Sequence, residues 1–304
     1  MRSNLLPLNV RGSPRRLRLL AMTNEMNLLF LLSLIFSRLA LAAPGCPTRS
    51  QAEEIRKETV GFLIHRNEIC SGTLISPHVV LTAAHCVQNK TTRQIYFTLN
   101  PDLTRPGLAA SFARASRTIV NPLFMPPGGS NPGGADIALV KLESTEYGNV
   151  PATFYKLASV DEMTSGVTAY TLGYGVEPNG GGSIRRSKKV RFEEKKDARL
   201  ADGRILPGGL LRFIRGDEGE IPCGGDSGSP VLKFAEDQTV IIAVYSANQA
   251  LVRSARAAAS LARSPVKLCK VTGSSVGTNV LPFRDWVEAT RKEMETDRSF
   301  PRCP

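Results

Sequence analysis

The chain has 304 residues, 42% of them hydrophobic and 22% charged, with a formal net charge of +12. That balance is ordinary for a globular protein, excludes a chain too polar to bury a core, and leaves room for one large or two medium domains. Residues 1–45 hold six arginines and one glutamate, so the remainder carries +7. No aromatic residues interleave with the basic ones, so this reads as a cationic surface and no nucleic-acid partner is expected.

Leu28 to Phe36 is apolar, broken only by Ser33, and Leu39-Ala40-Leu41-Ala42-Ala43 follows Ser37 and Arg38. The run is too short to span a bilayer well. Residues 1–43 therefore read as a signal peptide with an Ala-x-Ala site, cut after Ala42 or a neighbour. Arg11 to Arg18 forms an extended basic lead, or else Met22 or Met26 is the true start. A retained anchor is the alternative. Lipidation of Cys46 is disfavoured, because Ala43 stands where a lipobox has leucine. Export implies a secreted or periplasmic protein with no stable span once the signal is removed. Residues 44–57 read as an N-terminal, pro-like segment.

Short β-rich runs separated by turn residues follow: Gly61–Ile64, Gly72–Ile75, Val79–Ala83, Gln94–Leu99 and Arg117–Val120. Pro126 to Gly134 is a loop by composition. Pro151–Leu157 and Gly166–Leu172 are further strands, and Val176 to Ser183 is a turn. Val190 and Phe192 alternate with charged neighbours as on a half-buried strand. The basic stretch Arg185 to Lys196 around them reads as a solvated strand face. Val231–Phe234 and Thr239–Ser246 complete the strands. Leu251 to Leu268, rich in Ala, Arg and Ser, reads first as a solvated excursion, with a lid or an exosite as alternatives. Phe283, Trp286, Val287, Thr290 and Met294 then mark one face of a helix over 283–297. No internal repeat is visible. Two runs of strands predict an all-β fold of two packed antiparallel Greek-key β-barrels, 58–150 and 151–282, closed by a C-terminal α-helix.

Three motifs carry the chemistry: Thr82-Ala83-Ala84-His85-Cys86, then Asp136-Ile137-Ala138-Leu139, then Gly225-Asp226-Ser227-Gly228. A serine hydroxyl is a weak nucleophile unless a base takes its proton and donors stabilise the oxyanion. Of the three histidines only His85 has such flanks; His65 and His78 read as surface residues. In this order and with these neighbours the motifs resemble the chymotrypsin/trypsin family of serine peptidases. The resemblance is densest at the motifs and covers about residues 58 to 295.

It implies Ser227 as nucleophile, His85 as base and then acid, Asp136 as the residue fixing the imidazole, and the N–H groups of Gly225 and Ser227 as oxyanion hole. It also implies disulfides Cys70–Cys86 and Cys223–Cys269, which leaves Cys46 and Cys303 as a remaining pair. Gly173-Tyr174-Gly175 resembles the family's Gly-Trp-Gly, and Ser246 its serine beside the aspartate. Ile221 stands six residues before Ser227, where trypsin-like members that select Lys or Arg have an aspartate. With Ser246, Ser275 and Gly277 it would line a pocket preferring apolar or small side chains. The implied function is an exported serine endopeptidase acting as a monomer on protein or peptide substrates, with no cofactor and no metal. A silent peptidase-like binding protein with a basic surface, and a non-peptidase acyl hydrolase, are the alternatives.

One departure stands out. The family's activated enzymes begin with Ile-Val-Gly-Gly, whose freed amine pairs with the aspartate before the nucleophile, here Asp226. No such sequence lies between Ala43 and Leu63, although Arg49, Arg56 and Lys57 are possible cut points. Either a divergent N-terminus pairs with Asp226, or another cation or hydrogen bond does.

Overall fold

Strands of 4 to 14 residues build two barrels in the computed structural model, which describes residues 60–65, 68–104, 112–126, 133–145, 147, 151, 153–160, 163–177, 182–216, 221–235, 238–250 and 272–296. All of these lie in the unit Pro47–Pro304. The first barrel comprises β1 (Val60–His65), β2 (Glu68–Ser76), β3 (Val79–Thr82), β4 (Ile95–Thr98), β5 (Ala113–Val120) and β6 (Ala138–Leu142), with a one-turn helix α1 (Ala84–Val87) after β3. It closes in the order β1-β2-β3-β6-β5-β4. Leu74, Val80, Leu81, Phe97, Leu139 and Val140 are buried on its strands.

A two-residue strand β7 (Lys156–Leu157) precedes the second set: β8 (Thr168–Gly173), β9 (Arg186–Arg199), β10 (Ile205–Arg215), β11 (Pro230–Ala235), β12 (Gln238–Ala250) and β13 (Thr272–Asn279). These pair in the order β11-β8-β9-β10-β13-β12, and β11 also pairs with β12, so the ends of the set meet. Counted from its own first strand, the second barrel has the order of the first. The repeat absent from the sequence is therefore present in the topology, because many apolar combinations fill a barrel of given connectivity. β7 lies parallel to the early part of β12. A 3-10 turn (Leu281–Phe283) leads into helix α2 (Arg284–Thr296), which buries Val287, Thr290 and Met294 as its periodicity predicts.

Three expectations need correction. Among the described residues of 151–157, only Lys156–Leu157 is a strand. The eleven-residue β10 replaces a stretch with no strand expectation; it alternates poorly because of bulges at Leu206/Leu210 and Arg212/Phe213. The basic stretch from Arg185 is not a solvated face throughout. Arg185 and Lys188 are buried, the latter because side chains at every second position share a face, here with Val190 and Phe192. Arg185 ties the barrels together: its guanidinium donates to the Val60 carbonyl at 2.9 Å, and its N–H to Pro101 at 2.8 Å. No described helix is long and apolar enough to cross a membrane. The expected signal, the pro-like segment, the Leu251–Leu268 excursion and the Cys46–Cys303 pair lie outside the described residues.

Candidate functional site

His85 is held at both ends by one carboxylate. It lies on α1, whose first N–H groups have no intrahelical acceptor. Asp136 Oδ1 accepts the His85 backbone N–H at 2.9 Å, and Oδ2 meets the ring Nδ1 at 2.7 Å. A carboxylate only accepts, so Nδ1 carries the proton and Nε2 is left as the basic nitrogen. The Cys70–Cys86 disulfide fastens α1 to β2. Because these two sulfurs are bonded to each other, they form no metal-binding set with the neighbouring His85.

Asp136 is aimed by a tight turn. Ala135 takes φ +50°, a region that residues with a Cβ seldom adopt, and the Ile137 N–H donates back to the Ala135 carbonyl at 2.8 Å. The second barrel completes the support. Ser246 Oγ on β12 donates to Asp136 Oδ2 at 2.5 Å, and Thr278 Oγ1 on β13 donates to the Asp136 carbonyl at 3.2 Å. Burial pushes the Asp136 carboxyl upward, but His85 and the hydrogen bonds outweigh it and hold the carboxyl below its ordinary value. Burial pulls the His85 imidazole down, but the charge and hydrogen bond of Asp136 raise it above the ordinary histidine value. The ring remains 35% exposed, open to an incoming group.

Ser227 sits in a turn stitched on every side. The Asp226 N–H donates to the Cys223 carbonyl, and the Ser229 N–H to the Asp226 carbonyl, both at 2.9 Å. The Gly228 N–H donates to Tyr245 at 2.8 Å. Gly225 has φ +98°, which only glycine adopts without strain. From the first barrel, the Ser71 N–H donates to the Ser227 carbonyl at 2.7 Å. Ser71 Oγ donates to the Gly225 carbonyl at 2.9 Å and accepts the Tyr174 N–H at 3.1 Å.

The Gly224 carbonyl accepts the Val176 N–H at 2.8 Å. Carbonyl and N–H point oppositely across a trans peptide, so the Gly225 N–H faces away from Val176. Among the described residues neither the Gly225 nor the Ser227 N–H has an acceptor. Cys86 Sγ lies 3.7 Å from both His85 Nε2 and the Ser227 carbonyl oxygen, so the ring and the serine flank one sulfur. The imidazole–hydroxyl hydrogen bond is not formed among the described residues. Such bonds are often loose before substrate arrives.

Asp226, directly before Ser227, is 1% exposed. Its Oδ1 accepts the Gly175 N–H at 2.9 Å, and its Oδ2 accepts the Cys223 N–H at 2.7 Å and Lys188 Nζ at 2.5 Å. Glycine is required at 175 because a Cβ there would lie 2.2 Å from the carboxylate.

The remaining expected residues separate into two groups. Ile221 is buried against Cys223 and Val176. Ser275 and Gly277 lie on β13, where Gly277 is paired with Leu211 and Tyr245. The Ser275 hydroxyl is fully buried and has no hydrogen-bond partner among the described residues. The Tyr245 hydroxyl donates to Asn248 Oδ1 at 2.5 Å and lies 3.4 Å from the Pro222 carbonyl oxygen. Cys223 is in a disulfide; its expected partner Cys269 lies outside the described residues. Sequence reasoning missed Ser71, Lys188 and Tyr245. Only Lys188 had a signal, since stepping back by two from Phe192 and Val190 reaches it.

The family model described as Trypsin matches residues 48–258. The chain is similar to granzyme M of Rattus norvegicus, 26% identical over 182 residues, 55% of this chain and 65% of that protein. It is also similar to kallikrein-4 of Homo sapiens, 27% identical over 232 residues, 75% of this chain and 80% of that protein. The match thus spans just under two thirds of the first relative and four fifths of the second.

Proposed function

Given that the chain belongs to the trypsin family of serine peptidases, we propose that it is an exported serine endopeptidase with His85, Asp136 and Ser227 as its triad. The observation that carries this reading is the double clasp of Asp136 on His85, which leaves Nε2 basic on a half-buried ring beside the Ser227 turn. Nε2 takes the Ser227 proton as Oγ attacks the peptide carbonyl, and Asp136 stabilises the imidazolium. The Gly225 and Ser227 N–H groups, without an acceptor among the described residues, receive the oxyanion, where one donor is worth about 3–4 kcal/mol. The proton then passes to the leaving amine, and water releases the acyl group by the same route.

Buried Ile221 offers no charge partner for a lysine or arginine side chain, and an unpaired cation in such a pocket is costly. The pocket therefore favours apolar or small residues before the cut. A fluorophosphonate probe tests the chemistry: the mature protein is labelled and Ser227→Ala is not. Equal resistance of both to the probe would overturn it. A peptide-library digest tests selectivity, and cleavage confined to Lys and Arg sites would refute the pocket reading.

A further inference from the structure

We infer that Lys188 is a resident counter-cation that holds the Ser227 turn in its working shape, so that activity does not depend on a newly cut chain terminus. The inference rests on Ser227 being the nucleophile. A carboxylate removed from water needs a cation and hydrogen-bond donors. Asp226 has both from within the folded chain: two backbone N–H groups and the ammonium of Lys188, whose side chain is 5% exposed. The pocket fits the carboxylate closely. Cβ atoms added at Gly173 and Gly175 would fall 2.3 and 2.2 Å from its oxygens, so glycine at these places makes the space it occupies. Glu177 lies 3.9 Å from Lys188 Nζ and 3.4 Å from Arg186, adding a carboxylate to the same cluster.

The ion pair reaches the oxyanion site through the backbone. Asp226 is the hub of the turn, donating its N–H to Cys223 and accepting from Ser229. Drawing its carboxylate toward β8 and β9 places Gly224 against Val176 and fixes which way the Gly225 N–H points. Lys188 touches no reacting atom, so it is a positioning residue.

The test uses the full exported chain with a fluorophosphonate probe and peptide hydrolysis. With Arg49, Arg56 and Lys57 all changed to Gln, the expected result is wild-type labelling, and intact mass shows the labelled chain uncut at those positions. In Lys188→Met, labelling rate and kcat fall about 100-fold, as for loss of an oxyanion donor. KM and the acid limb of the pH profile stay in place, and Lys188→Arg recovers most of the loss. A label confined to chains cut within 44–59, or a Lys188→Met protein that labels like wild type, overturns the inference. If Lys188→Met does not fold, the triple Gln variant decides by the same criterion. A wild-type protein that labels no better than Ser227→Ala sinks the peptidase reading and this inference with it. Labelled wild type with an indifferent Lys188→Met sinks this inference alone.

Discussion

Asp136, beside the first barrel, and Asp226, beside the second, are both shut away from solvent, yet their partners differ in kind. Asp136 faces an imidazole that is 35% exposed, and the pair is raised and lowered against each other in proton affinity. Asp226 faces an ammonium sealed at 5% exposure, with donors on both its oxygens. The first couple is open to a substrate and able to exchange a proton. The second is closed and fixes a backbone. A buried carboxylate is thus a chemical device or a structural one according to how accessible its partner is.

Asp136→Asn breaks the contrast most strongly. It keeps the shape but removes the charge, and kcat is expected to fall about 10⁴-fold in steady-state hydrolysis. The pH profile moves as well. His85 works as a base only when neutral, so wild-type activity rises as pH climbs through a value above the ordinary 6.5. Without the Asp136 charge, burial and the Lys90 charge outweigh the smaller upward pull of Glu68, and the acid limb shifts to lower pH. Stability follows the same linkage: the gain from the raised His85 is fully present below 6.5 and is lost as pH rises through its folded value. An unshifted acid limb would show that the couple is not what raises the imidazole.

Removing the Cys70–Cys86 bridge by double substitution to serine tests how far α1 depends on it. The bridge closes a separation of 16 residues, and urea unfolding should show a loss of about 3 kcal/mol. Labelling by the probe should weaken as well, because His85 adjoins Cys86. Gly175→Ala tests the closed couple without touching a charge. Its Cβ overlaps the Asp226 carboxylate, so stability should drop by about 1–3 kcal/mol, with kcat reduced and the acid limb unmoved. The smallest effect is expected from Arg117→Ala, which cuts an exposed ion pair to Glu293 on α2. A change beyond about 1 kcal/mol in thermal unfolding would mean that this pair anchors the helix more than surface pairs do.

Much of this was legible in the chain itself, for local reasons. The flanks of His85, Asp136 and Ser227 mark their turns, the short apolar runs locate most strands, and spacing at i, i+3, i+4 and i+7 marks α2. Ser246 Oγ, on β12, bonds Asp136 across the two barrels. The failures are where contacts are long-range. Ser71 lies 154 residues from the Gly225 carbonyl it holds, and Lys188 lies 38 from Asp226. A serine in a strand and a lysine in a basic run have no local feature that reports such partners.

The order of apolar and polar residues determined by itself that this chain makes β-barrels and a terminal amphipathic helix, because burial period is a property of neighbours along the backbone. Which cation answers Asp226, which hydroxyl holds the Gly225 peptide, and that both barrels share one strand order were decided only when the strands closed. Those outcomes depend on distances between segments far apart in the chain, and the need to neutralise and hydrogen-bond whatever closure buries selects among them.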